Sequence, residues 1–313
     1  MIEGTYAKQY ALLWDYCEEL RKKNPGTTAK IKVETGPNGS SVFQRIYICL
    51  GACKRGFLQA CRPLVGLDGC HTKGLFSGQL LSAVGADANN CVYPIAYSIV
   101  EQENKDTWSW FVGLSMEDLV IESGRGWTFI TDRQKGLVQV LEELLPEAEH
   151  RYCVRHIYNN FNNKNKGEAL RSEVWAIAKC TTVAAFSTVM ERIKTIDKAA
   201  YEWLASKRAK EWSRSHFGDH SKCDVLLNNW CKSFNGIEML LEAREKPILS
   251  CLEQIRKYLM RRWKLQLTYV GRWHGEIGDR VHRILEKNKL QSGWCHAISN
   301  GFSQFQITHG MGG

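Results

Sequence analysis

Two short apolar runs, each closed by an aspartate, constrain the fold of this chain more than any other feature. Leu64-Val65-Gly66-Leu67 ends in Asp68, and Phe129-Ile130-Thr131 ends in Asp132. Short apolar runs bounded by turn signals read as strands buried on both faces, and such strands belong to sheets that helices cover on each side. Each carboxylate then leaves the carboxyl end of a buried strand. Two such ends side by side make a candidate magnesium site, because this ion takes oxygen ligands. A pair of such ions activates an attacking water and stabilises the leaving oxygen of a phosphodiester. An aspartate after a strand also caps turns and helices, so strand order is what separates the two readings.

The remaining pattern supplies that order. Tyr10, Leu13, Trp14, Cys17 and Leu20 fall at helical spacing, and Asn24-Pro25-Gly26 stops the helix. Residues 29–33 alternate as a short strand before the turn-rich segment 36–41, so residues 1–41 read as an accessory lobe. Strand patterns follow at 45–50, 64–67, 80–86 and 92–100, the last three forming a meander with turns at 73–78 and 88–90. A helix pattern covers 107–120, a strand 127–131, a helix 137–145 stopped by Pro146, and a fifth core strand 150–154. Three antiparallel strands, then helix, strand, helix and strand, is the order of the ribonuclease H-like fold. The expectation is an α/β core over 42–156, with a mixed five-stranded sheet flanked by helices. Residues 157–225 read as an all-helical insertion, 226–264 as C-terminal core helices and 265–313 as an irregular tail. Trp108, Trp110, Phe111, Trp175, Trp203 and Trp212 lie in helix patterns that need an apolar face, and read as core.

Composition narrows the function classes. With 313 residues, 44% hydrophobic and 11% aromatic, the chain is no disordered or fibrous protein. No apolar run approaches a membrane span and no signal-peptide pattern opens the chain, so a soluble, unexported protein is expected. Scattered cysteines suit reduced thiols in cytosol or nucleus. The net charge of +9 sits unevenly: residues 1–164 hold 18 basic and 18 acidic side chains, residues 165–313 hold 24 and 15. A localised positive field suits a polyanion such as nucleic acid, or else a solvated basic surface. The helix pattern at 247–264 sets Lys257, Arg261 and Lys264, bordered by Arg256 and Arg262, on a face opposite Ile248, Leu252, Ile255 and Leu259. Such a stripe tracks a DNA backbone by displacing counterions.

Several ordered motifs resemble one family. Leu67-Asp68-Gly69-Cys70-His71-Thr72-Lys73-Gly74, Gly78-Gln79-Leu80-Leu81-Ser82-Ala83-Val84-Gly85, Thr131-Asp132-Arg133-Gln134-Lys135-Gly136-Leu137, Glu149-His150-Arg151-Tyr152-Cys153-Val154-Arg155-His156 and Ala243-Arg244-Glu245-Lys246-Pro247-Ile248 look like the Mutator-like element (MULE) transposases of plants. The resemblance runs from Tyr6 to Ile307. It implies a ribonuclease H-like core with a DDE triad that uses two magnesium or manganese ions. In the family that triad cuts DNA at element ends and joins the freed 3′ hydroxyl to a target, in the nucleus; an oligomer is compatible with this. Asp68 and Asp132 fall on the family's two aspartates. The family's glutamate lies in Asn-Asn-x-x-Glu-Ser-Phe-Asn, whereas this chain reads Asn228-Asn229-Trp230-Cys231-Lys232-Ser233-Phe234-Asn235, so Lys232 occupies the glutamate's place.

An ammonium repels a divalent cation. At about 4 Å two unit charges interact by roughly 1 kcal/mol in water and about 4 kcal/mol at a protein-like dielectric, and a divalent ion doubles that. Glu238 and Glu242 do not project where residue 232 does on a helix. The expectation is a decayed or domesticated transposase, inactive or very weak, with Lys232 on a phosphate as the variant that favours binding without cleavage. The competing readings are a non-enzymatic nuclear DNA-binding regulator and a phosphodiesterase acting on RNA or branched DNA. The resemblance further identifies Cys153-x-x-His156 as the family's Cys-x-x-His pair. With His216, His220 and Cys223 it forms a candidate zinc site, the other reading being that these side chains pack the junction of insertion and core. Complete family members carry a DNA-binding module ahead of this region and a zinc finger beyond it, so a partial chain is expected.

Overall fold

The computed structural model describes residues 6–37, 39–74, 78–273 and 275–310. The chain begins with helices α1 (Tyr6–Ala11) and α2 (Leu13–Lys23), strands β1 (Thr28–Thr35) and β2 (Ser41–Cys49), and helix α3 (Gly51–Ala60). Strands β3 (Leu64–His71), β4 (Gln79–Ala86) and β5 (Val92–Val100) come next, then α4 (Lys105–Leu119), β6 (Thr128–Thr131), α5 (Lys135–Leu144) and β7 (Glu149–Tyr152). Helices α6 (Val154–Lys164), α7 (Glu168–Lys179), α8 (Val183–Ile196) and α9 (Lys198–Ala205) follow. The rest comprises α10 (Asn229–Asn235), α11 (Glu238–Ala243), α12 (Ile248–Val270), α13 (Asp279–Ser292) and a hairpin of β8 (Cys295–Ser299) and β9 (Phe305–His309). Leu75, Phe76 and Ser77 of the expected 73–78 turn lie outside the described residues.

The protein is α/β, with one mixed seven-stranded sheet in the order β1-β2-β5-β4-β3-β6-β7. Strands β3, β4 and β5 form the expected antiparallel meander, while β6 pairs parallel to β3 and β7 parallel to β6. All of β4 is buried, as a central strand with both faces covered must be. The sheet has two strands more than expected. β1 pairs antiparallel with β2, and β2 with β5, so residues read as a separate lobe supply the edge of the main sheet. The turn-rich segment after β1 is a hairpin connection, closed by Gly36 N–H donating to the Ser40 carbonyl at 2.7 Å, and not a linker.

One sheet face packs Ile46, Ile48, Leu80 and Val84 against Leu13 and Leu20 of α2, Phe234 of α10 and Leu252 of α12. The other packs Val65, Leu67, Leu81 and Ala83 against Phe57 of α3, Trp108 and Phe111 of α4, and Leu137 and Leu141 of α5. α3 has no counterpart in the expected pattern. Helix α4 starts on a capping box, in which Thr107 N–H donates to Asn104 Oδ1 at 2.9 Å and Asn104 N–H to Thr107 Oγ1 at 3.1 Å. The insertion is helical from α6 to α9 and through two short 3-10 turns (Ala209–Glu211 and Arg214–His216), but residues 217–225 carry no helix, unlike the all-helical expectation; it builds a core of its own from Tyr152, Val174, Ile177, Ile193 and Trp212. It begins and ends at one place, since Val154 N–H donates to the Leu226 carbonyl at 2.8 Å. The fully buried Arg151 of β7 reinforces that closure by donating to Glu149 (2.6 Å), the Gly218 carbonyl (3.1 Å) and the Cys223 carbonyl, with its guanidinium 4.0 Å over the Phe217 ring.

The tail departs from its expected irregularity. Helix α12 runs on to Val270, and α13 and the β8–β9 hairpin follow. α13 buries no side chain, so its period is carried only by exposed residues such as Ile284 and Leu285 among charges. No helix among the described residues is long and apolar enough to cross a membrane.

Candidate metal and DNA site

Parallel pairing of β3 with β6 aligns Leu64 with Thr128 and Gly66 with Ile130. Two residues further on, Asp68 and Asp132 stand at matching positions and, by the alternation of side chains, on one face; Asp132 follows the end of β6 as expected, whereas Asp68 lies inside β3, which runs on to His71 because it keeps pairing with β4. Adjacent strands lie about 4.8 Å apart, so the two carboxylates repel each other. Burial first, then the charge of Asp132, pushes the Asp68 carboxyl up from 3.8 to about 6; the Asn235 hydrogen bond and Lys232 work against the rise, and Glu103 adds to it. The turn beyond β6 is tight. Gln134 N–H donates to Asp132 Oδ1 at 3.2 Å, and the intervening Arg133 takes a left-handed φ of 74°, with its guanidinium 4.8 Å over the Tyr152 ring.

Helix α10 lies across this edge and is fastened to it at both ends. Asn228 Nδ2 donates to the Leu67 carbonyl at 2.8 Å, and Asn235 Nδ2 donates to Asp68 Oδ2 at 3.0 Å. Ser82 Oγ stands 3.3 Å from Asn235 Oδ1 and holds that amide in place. Gly66 makes the close approach possible, since a Cβ there would stand 2.7 Å from Asn228 Oδ1 and 3.0 Å from Cys231 Sγ. Between the two fastenings, half-buried Lys232 donates from Nζ to His156 Nε2 at 3.3 Å. Burial raises the Cys153 thiol, but His156 and the backbone around it outweigh this and hold it below its ordinary value; Cys153 in turn raises the imidazole.

A third carboxylate stands at the edge, and sequence reasoning missed it. Glu103 follows β5, which runs parallel to β3 because each is antiparallel to β4. The end of β5 therefore arrives at the same sheet edge as Asp68 and Asp132. Trp108 Nε1–H donates to Glu103 Oε1 at 3.1 Å, and a Cβ on Gly69 would meet the Glu103 carboxyl carbon at 3.0 Å. Burial, with the charge of Asp132, raises the Glu103 carboxyl, while Trp108 and His71 oppose the rise. The signal in the sequence is an acid three residues beyond an apolar strand run, Ile99-Val100-Glu101-Gln102-Glu103, and it becomes readable only with the strand order. Glu238 and Glu242 take no part: Glu238 is exposed, and Glu242 accepts from Gln254 at 3.0 Å.

The donor set suits a hard divalent ion. Magnesium is held by one or two carboxylates, with water and phosphate completing its shell; Asp68 and Asp132 are the pair that could hold it, without a third acid converging on them among the described residues. Zinc does not fit the residues expected to share it. Cys153 and His156 sit at the carboxyl end of β7, whereas His220 lies beside its start, 2.9 Å from Thr128 Oγ1 and 3.6 Å from Glu149. The four residues between span about 13 Å at strand rise. Cys223 meets Arg151 through its carbonyl, and His216 packs its ring 4.8 Å from that of Phe186. Among the described residues no three His, Cys, Asp or Glu side chains converge as a metal cage needs. These residues pack the junction instead, because proximity in sequence around a strand does not bring its two ends together.

On α12, Lys257, Arg261 and Lys264 are exposed. Arg256 is held within the protein by two bonds to Glu253 at 2.7 and 2.8 Å, and Arg262 donates to the Val92 carbonyl. A groove of about 450 Å³ between α11 and α12, lined by Met239, Glu242, Glu253, Lys257 and Arg261, mixes both charges.

Residues 64–160 match the model of the MULE transposase domain. The match runs from β3 into α6 and contains Asp68, Glu103, Asp132, Cys153 and His156, while α10 with Lys232 lies outside it. No curated protein matches the chain.

Proposed function

We propose that this is a transposase-derived protein that acts on DNA, built on a ribonuclease H-like core with lost or weakened strand transfer. One observation carries the reading: Asp68 and Asp132 emerge at aligned positions of parallel neighbouring strands inside the segment that matches the MULE transposase domain. The order β5-β4-β3-β6-β7, three strands antiparallel and two parallel, supports the ribonuclease H-like part. Bound there, magnesium or manganese supplies an activated water and a counter-charge to the leaving oxygen of a phosphodiester. The chain's own groups fix the acids: Asn235 orients Asp68, the Asx turn orients Asp132, and Trp108 orients Glu103. Lys232 lies where the family's third acid is expected and weakens the hold on divalent ions through repulsion. The site of action is the nucleus, and element ends and target DNA are the partners.

The test is cleavage of supercoiled and element-end DNA with magnesium or manganese by wild type, Asp68→Asn and Lys232→Glu. Activity that appears or rises in Lys232→Glu and vanishes in Asp68→Asn supports a weakened transposase. Equal activity in Asp68→Asn removes the proposed site. The second reading, a DNA-binding regulator without chemistry, is favoured by the exposed Lys257, Arg261 and Lys264. It is supported by salt-sensitive binding with no cleavage in any variant.

A further inference from the structure

We propose that two copies of this chain pair through the open edge of β9, antiparallel about a two-fold axis at Ile307. The tail is where the molecule leaves apolar surface without cover. Trp294, Ile298, Phe302, Phe305 and Ile307 are exposed, Phe302 by 84%, and so is every residue of β8. A two-stranded hairpin is marginal in water; a stable sheet takes three or more strands with an apolar face, or a helix packed on it. Among the described residues β8 and β9 pair only with each other, and α13, which leads into them, buries no side chain.

The hairpin's own hydrogen bonds fix how a third strand joins. Asn300 N–H donates to the Gln304 carbonyl at 3.2 Å and Gly310 N–H to the Trp294 carbonyl at 2.7 Å. By the alternation of an antiparallel ladder, the even-numbered pairs are the hydrogen-bonded ones, so the N–H and C=O groups of Phe305 and Ile307 point outward from β9. A second β9 laid antiparallel with Ile307 on the axis gives and receives both bonds at that residue, and sets Phe305 opposite His309 of the second copy. Ala297 lies opposite Ile307, and Ser299 opposite Phe305, so these four share one face. The product is a four-stranded sheet with the apolar faces of both hairpins on the same side.

Charge selects the second copy over a foreign strand. Folded proteins guard open edges against their own kind with charged side chains, lysine above all. Strand β1, at the edge of the main sheet, carries Lys30, Lys32 and Glu34. Residues 290–313 contain no Asp, Glu, Lys or Arg, in a chain that is 24% charged. Nothing there repels an identical strand, and nothing attracts a partner of either sign. The hairpin is also carried on a fixed helix, since Arg280 N–H at the start of α13 donates to Asn89 Oδ1 of the β4–β5 turn at 2.9 Å.

The experiment is sedimentation velocity of the full chain over a wide range of concentration, followed by cross-linking. Wild type should pass from 35.8 kDa to twice that mass. Ile307→Lys sets two ammoniums on the axis and should raise the dissociation constant about tenfold or more. Its side chain lies outside the three cores, so circular dichroism and melting temperature should match wild type. In a Cys295→Ser background, which removes the exposed cysteine, Ile307→Cys should give a disulfide-linked dimer on oxidation with copper phenanthroline. Gln306→Cys and Thr308→Cys should not link alone, because each meets the other position across the axis, and should link when mixed. A wild type that is monomeric at every concentration overturns the inference and leaves the edge to a strand of another protein. A dimer that persists in Ile307→Lys, or that links equally through position 306 or 308 alone, overturns it in favour of another surface.

Discussion

At the scale of single residues, the cost of holding Asp68 is the most measurable property of the site. Its carboxyl lies at about 6 in the folded protein against an ordinary 3.8. Between those values the folded state keeps a proton that the unfolded chain has released, so stability falls as pH rises through that window and the full cost is present above it. A shift of about two pKa units corresponds to about 3 kcal/mol. In chelator, Asp68→Asn should therefore stabilise the protein by up to about 3 kcal/mol at neutral pH and leave it unchanged near pH 3.5. Urea titrations at the two pH values check this, and a loss of stability at neutral pH contradicts it. Glu103→Gln removes a repelling neighbour, so the Asp68 carboxyl should titrate lower, read from carbon-detected NMR, while manganese binding weakens several-fold. Asp132 was legible because its apolar run states where β6 ends; Asp68 was legible as the acid beside such a run, although β3 continues to His71 on pairing with β4 that the run does not reveal. Glu103 was not, because its nearness to them depends on which strands neighbour which, and periodicity carries no information about that.

Among the elements, α10 decides what the site is, and Gly66 decides where α10 lies. A Cβ at this position needs space already held by Asn228 and Cys231, both on the sheet-facing side of α10. Overpacking of this kind costs typically 1–3 kcal/mol. Gly66→Ala should lower stability by about that amount, and should also weaken manganese binding by shifting Asn235 off Asp68. Intact metal affinity in a destabilised Gly66→Ala protein separates the fold's need for this glycine from the site's. Helix α3 escaped sequence reading because Gly51 and Gly56 lower its intrinsic helix preference, and only Cys53 and Phe57 among its apolar side chains are buried. Tertiary packing of Phe57 against the sheet makes the helix, and that cannot be seen locally. The candidate zinc ligands do not converge among the described residues for a related reason: spacing along the chain says that Cys153 and His156 are neighbours, but nothing about where the chain places His220, which lies beside Thr128 and Glu149 at the other end of β7.

For the whole molecule, the sheet and the charge distribution set what separates and what does not. β1 pairs with β2 from Thr28 to Thr35, and α2 shares a core with α12 through Leu13, Leu20 and Leu252. Removal of residues 1–41 should consequently lower the melting temperature of the entire core, measured by differential scanning calorimetry, rather than delete an independent transition. The mixed α/β class and most of the strands were legible from alternation and apolar runs; the joining of the first strand to the sheet was not, since a turn-rich segment reads alike as hairpin or linker. The basic second half belongs to the same scale. Lys257→Glu with Arg261→Glu should weaken DNA binding and flatten the slope of log K against log salt by about 2, at roughly 0.9 per phosphate contact. An unchanged slope assigns those side chains to solvent.

The hydrogen bond from Val154 to Leu226 and the Arg151 network have a consequence for how such a chain tolerates change over generations. They make the helical region a detour that rejoins the road where it left. Extra or missing turns of helix within it alter nothing in the span that the strands must bridge, so its length is free to drift while the acid-bearing edge keeps its shape.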